Sequence, residues 1–114
     1  MNISQFISFE DFIKIDIRAG TVKSARLNEK AKKPAYILEI DFGELGVKKS
    51  SAQITEAYKA EELINSQVIA VLNFPTKRVA GVESEVLVLA VVEENGRAIL
   101  LRPTQEVKNG LRVA

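Results

Sequence analysis

The sequence predicts an all-β protein: a five-stranded OB-type barrel with a short helix after the third strand and extensions at both ends. Three observations lead to this fold. The chain has 114 residues, the length of one domain with one core, so we expect a single domain over residues 1–114. Hydrophobic residues make up 46% of it and recur in short runs separated by glycine, proline and asparagine. The order of three strands, one helix and two strands is that of an OB barrel, with an SH3-like barrel as the weaker alternative.

The N-terminal part predicts a short helix followed by a long strand. Ser8 stands where a helix cap is expected, and the acidic residues Glu10 and Asp11 after it suit a first helical turn that continues to about Ile13. Residues 15–27 alternate between polar and apolar at first and then reach Gly20. This pattern predicts a long first strand that is bent by a bulge.

The second and third strands are predicted on either side of a tight turn. A charged loop over residues 30–34 precedes four apolar residues at period two, which indicates a strand with one buried face: Tyr36, Leu38, Ile40 and Phe42. Gly43 and Gly46 then predict a hairpin turn. Residues 47–54 form the third strand, which is unusually polar for a strand of a small barrel.

The second half of the chain predicts one helix and two buried strands. Thr55 is expected to cap a helical stretch that runs to Ile64. Residues 67–74 and 85–92 are rich in valine, isoleucine and leucine, so we expect them to be buried strands four and five, joined by a ten-residue loop. A last apolar segment, residues 98–101, has no partner that the sequence reveals.

The composition argues against catalysis and against a metal site. The chain contains no cysteine and no histidine, which excludes thiol nucleophiles, disulfides and the commonest general base and metal ligand. We therefore predict no catalytic residue, no metal and no cofactor. The longest apolar run, residues 86–92, is far shorter than the roughly 20 residues of a membrane-spanning helix, and no signal-peptide pattern begins the chain. A cytoplasmic protein without membrane insertion is expected.

Basic residues concentrate in three segments although the net charge is only +1. Seven of the 16 lysines and arginines stand in the first loop, on strand three and between strands four and five: Lys30, Lys32, Lys33, Lys48, Lys49, Lys77 and Arg78. In OB barrels these regions meet on one ligand-binding face. The alternative is that each cluster is an ordinary set of solvated surface charges.

The loop over residues 74–82 mixes apolar and basic side chains, which is unusual for a connection exposed to water. We expect Phe74 and Val82 to fold back onto the barrel. Pro75, Val79 and Ala80 are then the better candidates for contact with an apolar ligand.

Four segments of the chain together resemble the tRNA-binding domain family. They are residues 16–20, 50–54, 61–64 and 73–75, and their sequences are DIRAG, SSAQI, EELI and NFP. Within that family, residues 47–55 (VKKSSAQIT) and 80–89 (AGVESEVLVL) resemble the stand-alone chaperones of the CsaA type. This resemblance implies an OB-fold homodimer without catalytic activity that holds unfolded preproteins for export and contacts the export motor.

Two functions follow as hypotheses, a chaperone that binds unfolded preproteins and, as the alternative, a structure-specific tRNA-binding protein. A peptide binder needs an apolar groove, whereas a tRNA binder depends on phosphate contacts that salt weakens. Relatives that bind tRNA usually carry Gly-Met where this chain has Val86 and Leu87. For either ligand the predicted site is the same set of residues: Lys48, Lys49, Ser50, Gln53, Asn73, Pro75, Lys77, Arg78, Val79 and Ser84.

Apolar residues near both ends of the chain predict a homodimer. They lie outside the five predicted strands and exceed what one small barrel can cover. The residues in question are Phe6, Ile7, Phe9, Phe12, Ile13, Ile99, Leu100 and Leu101.

Overall fold

A five-stranded antiparallel sheet curls into a nearly closed barrel in the computed structural model of the chain, as the all-β OB prediction requires. The structure describes residues 5–114, so the first four residues of the predicted 1–114 domain lie outside the described residues. The helices are α1 (Phe9–Ile13) and α2 (Ala60–Leu63), and a 3-10 turn covers Gly43–Leu45. The strands are β1 (Ile17–Leu27), β2 (Tyr36–Asp41), β3 (Val47–Ala52), β4 (Gln67–Val71), β5 (Lys77–Val79), β6 (Val82–Ser84), β7 (Leu87–Val88), β8 (Ala90–Val92) and β9 (Ala98–Leu100). The order of the strands in the barrel sheet is β3-β2-β1-β4-β7.

The period-two pattern of the second strand builds the centre of the core. All four predicted residues, Tyr36, Leu38, Ile40 and Phe42, are buried, and they pack with side chains from the other strands and from Leu63 of α2. The predicted second strand is therefore confirmed in its position and in its buried face.

Strand β1 carries the predicted bulge, although not at the predicted residue. The pairing of β1 with β2 shifts between Val22 and Ser24, which places the bulge at Lys23 and not at Gly20. Gly20 has a different role, because a Cβ atom there would lie 2.7 Å from the Phe42 ring and 2.8 Å from Ile40. The glycine lets two core side chains lie against the strand backbone.

The first helix begins as predicted and the second does not. The Ser8 side-chain oxygen accepts a hydrogen bond from the Asp11 backbone N–H at 3.0 Å and caps α1. Thr55 caps no helix; α2 has four residues, and Lys59 stands at its N-cap. The Tyr36 hydroxyl donates to the carbonyl of Tyr58 at 2.7 Å. This carbonyl therefore accepts a hydrogen bond from a core side chain and not from the backbone N–H that would bond to it in a longer helix.

Residues 85–92 differ most from expectation, because the predicted fifth strand is two short strands and most of it is not buried. The backbone N–H of Leu89 donates to Ile69 on β4 at 2.8 Å, whereas the Leu89 carbonyl accepts from Leu101 at 3.1 Å. The chain thus leaves the barrel at Leu89, and β8 pairs with β9 in a separate hairpin that leaves Val91 and Val92 exposed.

This hairpin supplies the missing partner of the last apolar segment. Leu100, predicted to lie outside the barrel, is buried in the core. The predicted fourth strand is shorter than expected and ends at Val71.

The C-terminal extension packs against the start of β1. The backbone N–H of Val113 donates to Ile17 at 2.8 Å, and that of Gly110 donates to Ala19 at 2.8 Å. Among residues 5–114, no helix is long and apolar enough to cross a bilayer.

Candidate functional site

The hairpin formed by β5 and β6, residues 77–84, carries four of the predicted site residues. The expected ten-residue loop is therefore mostly an ordered antiparallel pair, in which Lys77 lies opposite Ser84 and Val79 lies opposite Val82. The turn uses Ala80 and Gly81, whose φ angles of +46° and +83° are both in the left-handed region. Two positive φ angles match the right-handed twist of a two-residue hairpin.

The base of the hairpin closes the barrel against β3. The Ser84 side-chain oxygen accepts a hydrogen bond from the Ser51 N–H at 3.0 Å. Next to it, the Lys49 N–H donates to the Glu85 carboxylate at 3.0 Å, and the Lys49 carbonyl accepts from the Glu85 N–H at 2.8 Å. Ser84, predicted from the sequence as a ligand contact, thus holds the hairpin to the polar third strand.

Asn73 has a comparable structural role. Its amide nitrogen donates to the Lys14 carbonyl at 2.7 Å, and its amide oxygen accepts from the Asp16 N–H at 2.9 Å. These two bonds join the end of the fourth strand to the approach to β1. Asn73 therefore positions the segment that carries Phe74 and Pro75.

The predicted residues of β3 divide between the two faces of the strand. Lys49 and Ser51 point outward, whereas Lys48 and Ser50 belong to the more buried alternate set. Ser50 is 1% exposed, and its hydroxyl has no hydrogen-bond partner among residues 5–114. Lys49 is exposed beside the hairpin base, and Gln53 is exposed just beyond the end of the strand. Ser51 was not predicted as a site residue; of the four that were, Lys48, Lys49, Ser50 and Gln53, Lys49 is the one whose backbone is bonded to the segment after the hairpin.

An apolar groove lies beside the base of the hairpin and has a volume of about 180 Å³. Its lining residues are Phe74, Pro75, Lys77, Ser84, Glu85, Val86 and Leu87. Pro75, Lys77 and Ser84 were predicted site residues, and Val79 does not line this groove. The other four lining residues, Phe74, Glu85, Val86 and Leu87, were missed.

Phe74 and Leu87 are 54% and 48% exposed, so the expectation that Phe74 covers the barrel is wrong. No sequence signal identifies Leu87, because it stands within a continuous apolar run that is typical of a buried strand. For Phe74 the signal was the proline that follows it, which favours a chain turning out of the sheet.

The groove is lined by charges of both signs, Lys77 and Glu85. Arg78 pairs with Glu83 across the hairpin at 2.6 Å, and both side chains are more than half exposed, so the pair compensates the arginine charge on the surface. Of the seven basic residues in the three clustered segments of the sequence, the other six form no salt bridge with any residue of the described chain: Lys30, Lys32, Lys33, Lys48, Lys49 and Lys77. Among them, Lys77 lines the groove and offers a cation to a ligand with a negative group.

A second, wider groove lies at the tip of the same hairpin, with a volume of about 620 Å³. Its apolar lining comes from Leu27, Ile37, Ala80 and Val82, and its charged rim includes Arg26, Glu29 and Lys30. The hairpin therefore has a groove at each end, one next to β3 and the other next to the loop between β1 and β2. This arrangement brings the predicted basic segments of that loop and of the hairpin to one side of the barrel.

Residues 17–112 of the chain match a family described as "Putative tRNA binding domain". Among curated proteins, the chain is 40% identical over 104 residues to the methionine–tRNA ligase of Methanococcoides burtonii. It is 38% identical over 109 residues to that of Pyrococcus horikoshii. These matches cover 91% and 96% of this chain and 15% of each ligase. The chain thus spans about one seventh of the length of the curated relatives it matches.

Three solved structures are similar over nearly the whole chain. The chaperone CsaA of Bacillus anthracis is 54% identical, with a TM-score of 0.92 over 96% of this chain and 100% of that one. CsaA of Picrophilus torridus is 48% identical with a TM-score of 0.88, again over 96% and 100%. A protein of Pyrococcus horikoshii related to methionyl-tRNA synthetase is 29% identical with a TM-score of 0.87, over 97% and 100%.

Proposed function

The chain belongs to the tRNA-binding domain family, and we propose that within it the protein is a non-catalytic chaperone of the CsaA kind that holds unfolded polypeptide segments. The similarity to the two CsaA chaperones extends over 100% of those chains. The similarity to the methionine–tRNA ligases extends over 15% of theirs. A protein related to methionyl-tRNA synthetase is also matched over 100% of its length, but at 29% identity, so the identities of 54% and 48% to the chaperones support the chaperone proposal.

The observation that carries the proposal is the apolar groove at the hairpin base. Phe74 and Leu87 expose about half of their side chains there, which leaves apolar area that water contacts unfavourably and that a bound apolar side chain would cover. A groove of this kind suits an extended polypeptide better than a phosphate backbone.

The free lysines beside the groove define the client further. Lys77 lines the groove and Lys49 is exposed at the adjoining part of β3. An unfolded segment that carries apolar side chains next to acidic ones would use both kinds of contact. We expect modest affinity, because an unfolded client loses conformational entropy when it is ordered.

The finer parts of the proposal are that the clients are preproteins awaiting export, that the export motor is a partner and that the protein acts as a homodimer in the cytoplasm. The resemblance to the export chaperones supports the first two. The dimer is also supported by exposed apolar side chains on and before α1, where Phe6, Ile7 and Phe9 are each at least 69% exposed. Surfaces of this kind commonly pair with a second copy.

A light-scattering assay of a denatured client tests the groove. Leu87→Asp should remove most of the protection against aggregation, because a carboxylate replaces an apolar contact inside the groove. Leu45→Asp is the matched control: Leu45 is 42% exposed, close to the 48% of Leu87, but lines a different cavity. Circular dichroism should show both variants folded. Equal protection by the two variants would refute the groove as the client site.

Transfer RNA is the second candidate ligand, and the free lysines favour it. Lys30, Lys32 and Lys33 project from one loop and, like Lys49 and Lys77, have no ion-pair partner in residues 5–114. If these lysines contact phosphates, the affinity for tRNA should fall steeply with salt. Replacing Lys32 or Lys33 with glutamine should then reduce the slope of log affinity against log salt by about 1 for each contact. Binding that does not depend on salt would exclude this candidate.

A further inference from the structure

Asn28 is the buried polar side chain at the point where β1 ends and the loop to β2 begins. It is 6% exposed. Its amide oxygen accepts from the Lys30 N–H at 3.1 Å, and its amide nitrogen donates to the Ala80 carbonyl at 3.3 Å. Its backbone N–H donates to the Ala35 carbonyl at 2.9 Å. The residue thus ties its own loop together and at the same time reaches the tip of the hairpin.

The bond to Ala80 is one of two that hold the hairpin in place. Within the described chain, two hydrogen bonds connect residues 77–84 to the rest of the protein, one from Ser51 to Ser84 at the base and one from Asn28 to Ala80 at the tip. Without the second bond, hydrogen bonds would hold the hairpin at its base alone. Its tip already contains a strained residue, since Ala80 adopts a φ of +46°.

The same bond spans the wider groove. Leu27 and Lys30 lie on one side of that groove, and Ala80 and Val82 lie on the other. Asn28 lines the groove with them, and its amide bridges the two walls. The separation of the two walls at this point is therefore set by the length of the Asn28 side chain together with its hydrogen bond to Ala80.

We infer that Asn28 is a positioning residue that holds the hairpin at a fixed distance from the β1–β2 loop and so prepares both grooves for a client. This inference rests on the proposed function, because it assumes that the hairpin binds the client. A hairpin that is already ordered loses less entropy on binding than a mobile one. Removal of the tie should therefore lower the affinity, although every residue that lines the groove at the hairpin base, among them Phe74 and Leu87, is unchanged.

Two variants of Asn28 separate the tie from other effects. Asn28→Asp keeps the oxygen that accepts from Lys30 but replaces the donor to Ala80 with a second oxygen. Asn28→Ala removes the tie without adding charge. Asn65→Asp is the matched control, because it makes the same chemical change at an exposed residue whose side chain has no hydrogen bond within residues 5–114. Circular dichroism should show all three folded.

Two measurements apply to each variant. Hydrogen exchange follows the backbone amides of Val79 and Val82, which face each other across the hairpin. Fluorescence anisotropy measures the affinity for reduced, carboxymethylated α-lactalbumin, a soluble protein that stays unfolded. Both Asn28 variants should show roughly fivefold faster hairpin exchange and roughly fivefold weaker binding, the effect of one neutral hydrogen bond. Asn65→Asp should match the wild type in both.

Three results would contradict either the inference about Asn28 or the proposed function. Hairpin exchange at the wild-type rate in the Asn28 variants would overturn the inference that Asn28 fixes the hairpin. Faster exchange with undiminished affinity would overturn its role in client binding. A wild-type protein that does not bind the unfolded probe would refute the proposed function instead, and the exchange rates would still decide whether Asn28 holds the hairpin.

Discussion

Replacement of Gly20 with alanine should destabilise the protein, although alanine is the smallest possible addition. The new Cβ would lie 2.7 Å from two atoms of the Phe42 ring and 2.8 Å from the Ile40 side chain. Carbon atoms prefer a separation of about 3.5–4.0 Å. Phe42 and Ile40 are both completely buried, so neither can move aside without disturbing the core.

The expected loss combines two opposing effects. Overpacking of a core by one methyl group costs typically about 1–3 kcal/mol. The reduced freedom of the unfolded chain returns roughly 0.4–1 kcal/mol. The net loss of about 1–2 kcal/mol should lower the melting temperature by roughly 5–10 °C in a domain of this size.

Thermal unfolding followed by circular dichroism measures this loss, and a double-mutant cycle identifies its cause. Phe42→Leu removes the ring that the new methyl group meets, so Gly20→Ala should cost about 1 kcal/mol less in that background. An unchanged melting temperature for Gly20→Ala would refute the reasoning. So would a cycle in which the two changes are additive within about 0.5 kcal/mol.

Three further predictions concern the site and the assembly. Asn73→Ala should lower the free energy of unfolding by about 1 kcal/mol, because it removes the bonds to Lys14 and Asp16; an unchanged urea midpoint would contradict this. Lys49→Gln should change stability by less than about 0.5 kcal/mol, yet it should reduce the salt dependence of tRNA binding by about 1 in slope if that candidate is correct. Sedimentation equilibrium at micromolar concentration should return twice the chain mass of 12.6 kDa, and a clean monomer would exclude the proposed dimer.

The sequence predicted those parts of the fold that depend on local periodicity and capping. The buried alternation from Tyr36 to Phe42 and the Ser8 cap of α1 are both present. The alternation indicates one buried face wherever the strand lies, and the cap needs only its own helix.

The same kind of local signal identified part of the candidate site. Pro75, Lys77 and Ser84 line one groove with Phe74 and Leu87. Strand alternation alone already implies that the neighbours Lys48 and Lys49 point to opposite faces, yet the sequence did not indicate which of them faces outward. Pairing of β3 with β2 decides this, since Lys49 lies opposite the half-buried Glu39 and Lys48 lies opposite the buried Ile40.

The sequence by itself determined an all-β barrel, its central core residues and the basic and apolar character of the segment after the fourth strand. Only the tertiary structure decided that the apolar run at residues 85–92 leaves the barrel at Leu89, that Phe74 is exposed and that Asn28 reaches across to Ala80. The hydrophobicity of a side chain indicates that burial is favourable, but it does not indicate which surface will cover that side chain. Contacts such as that between Asn28 and Ala80 join residues 52 positions apart, and they exist only after the chain has folded.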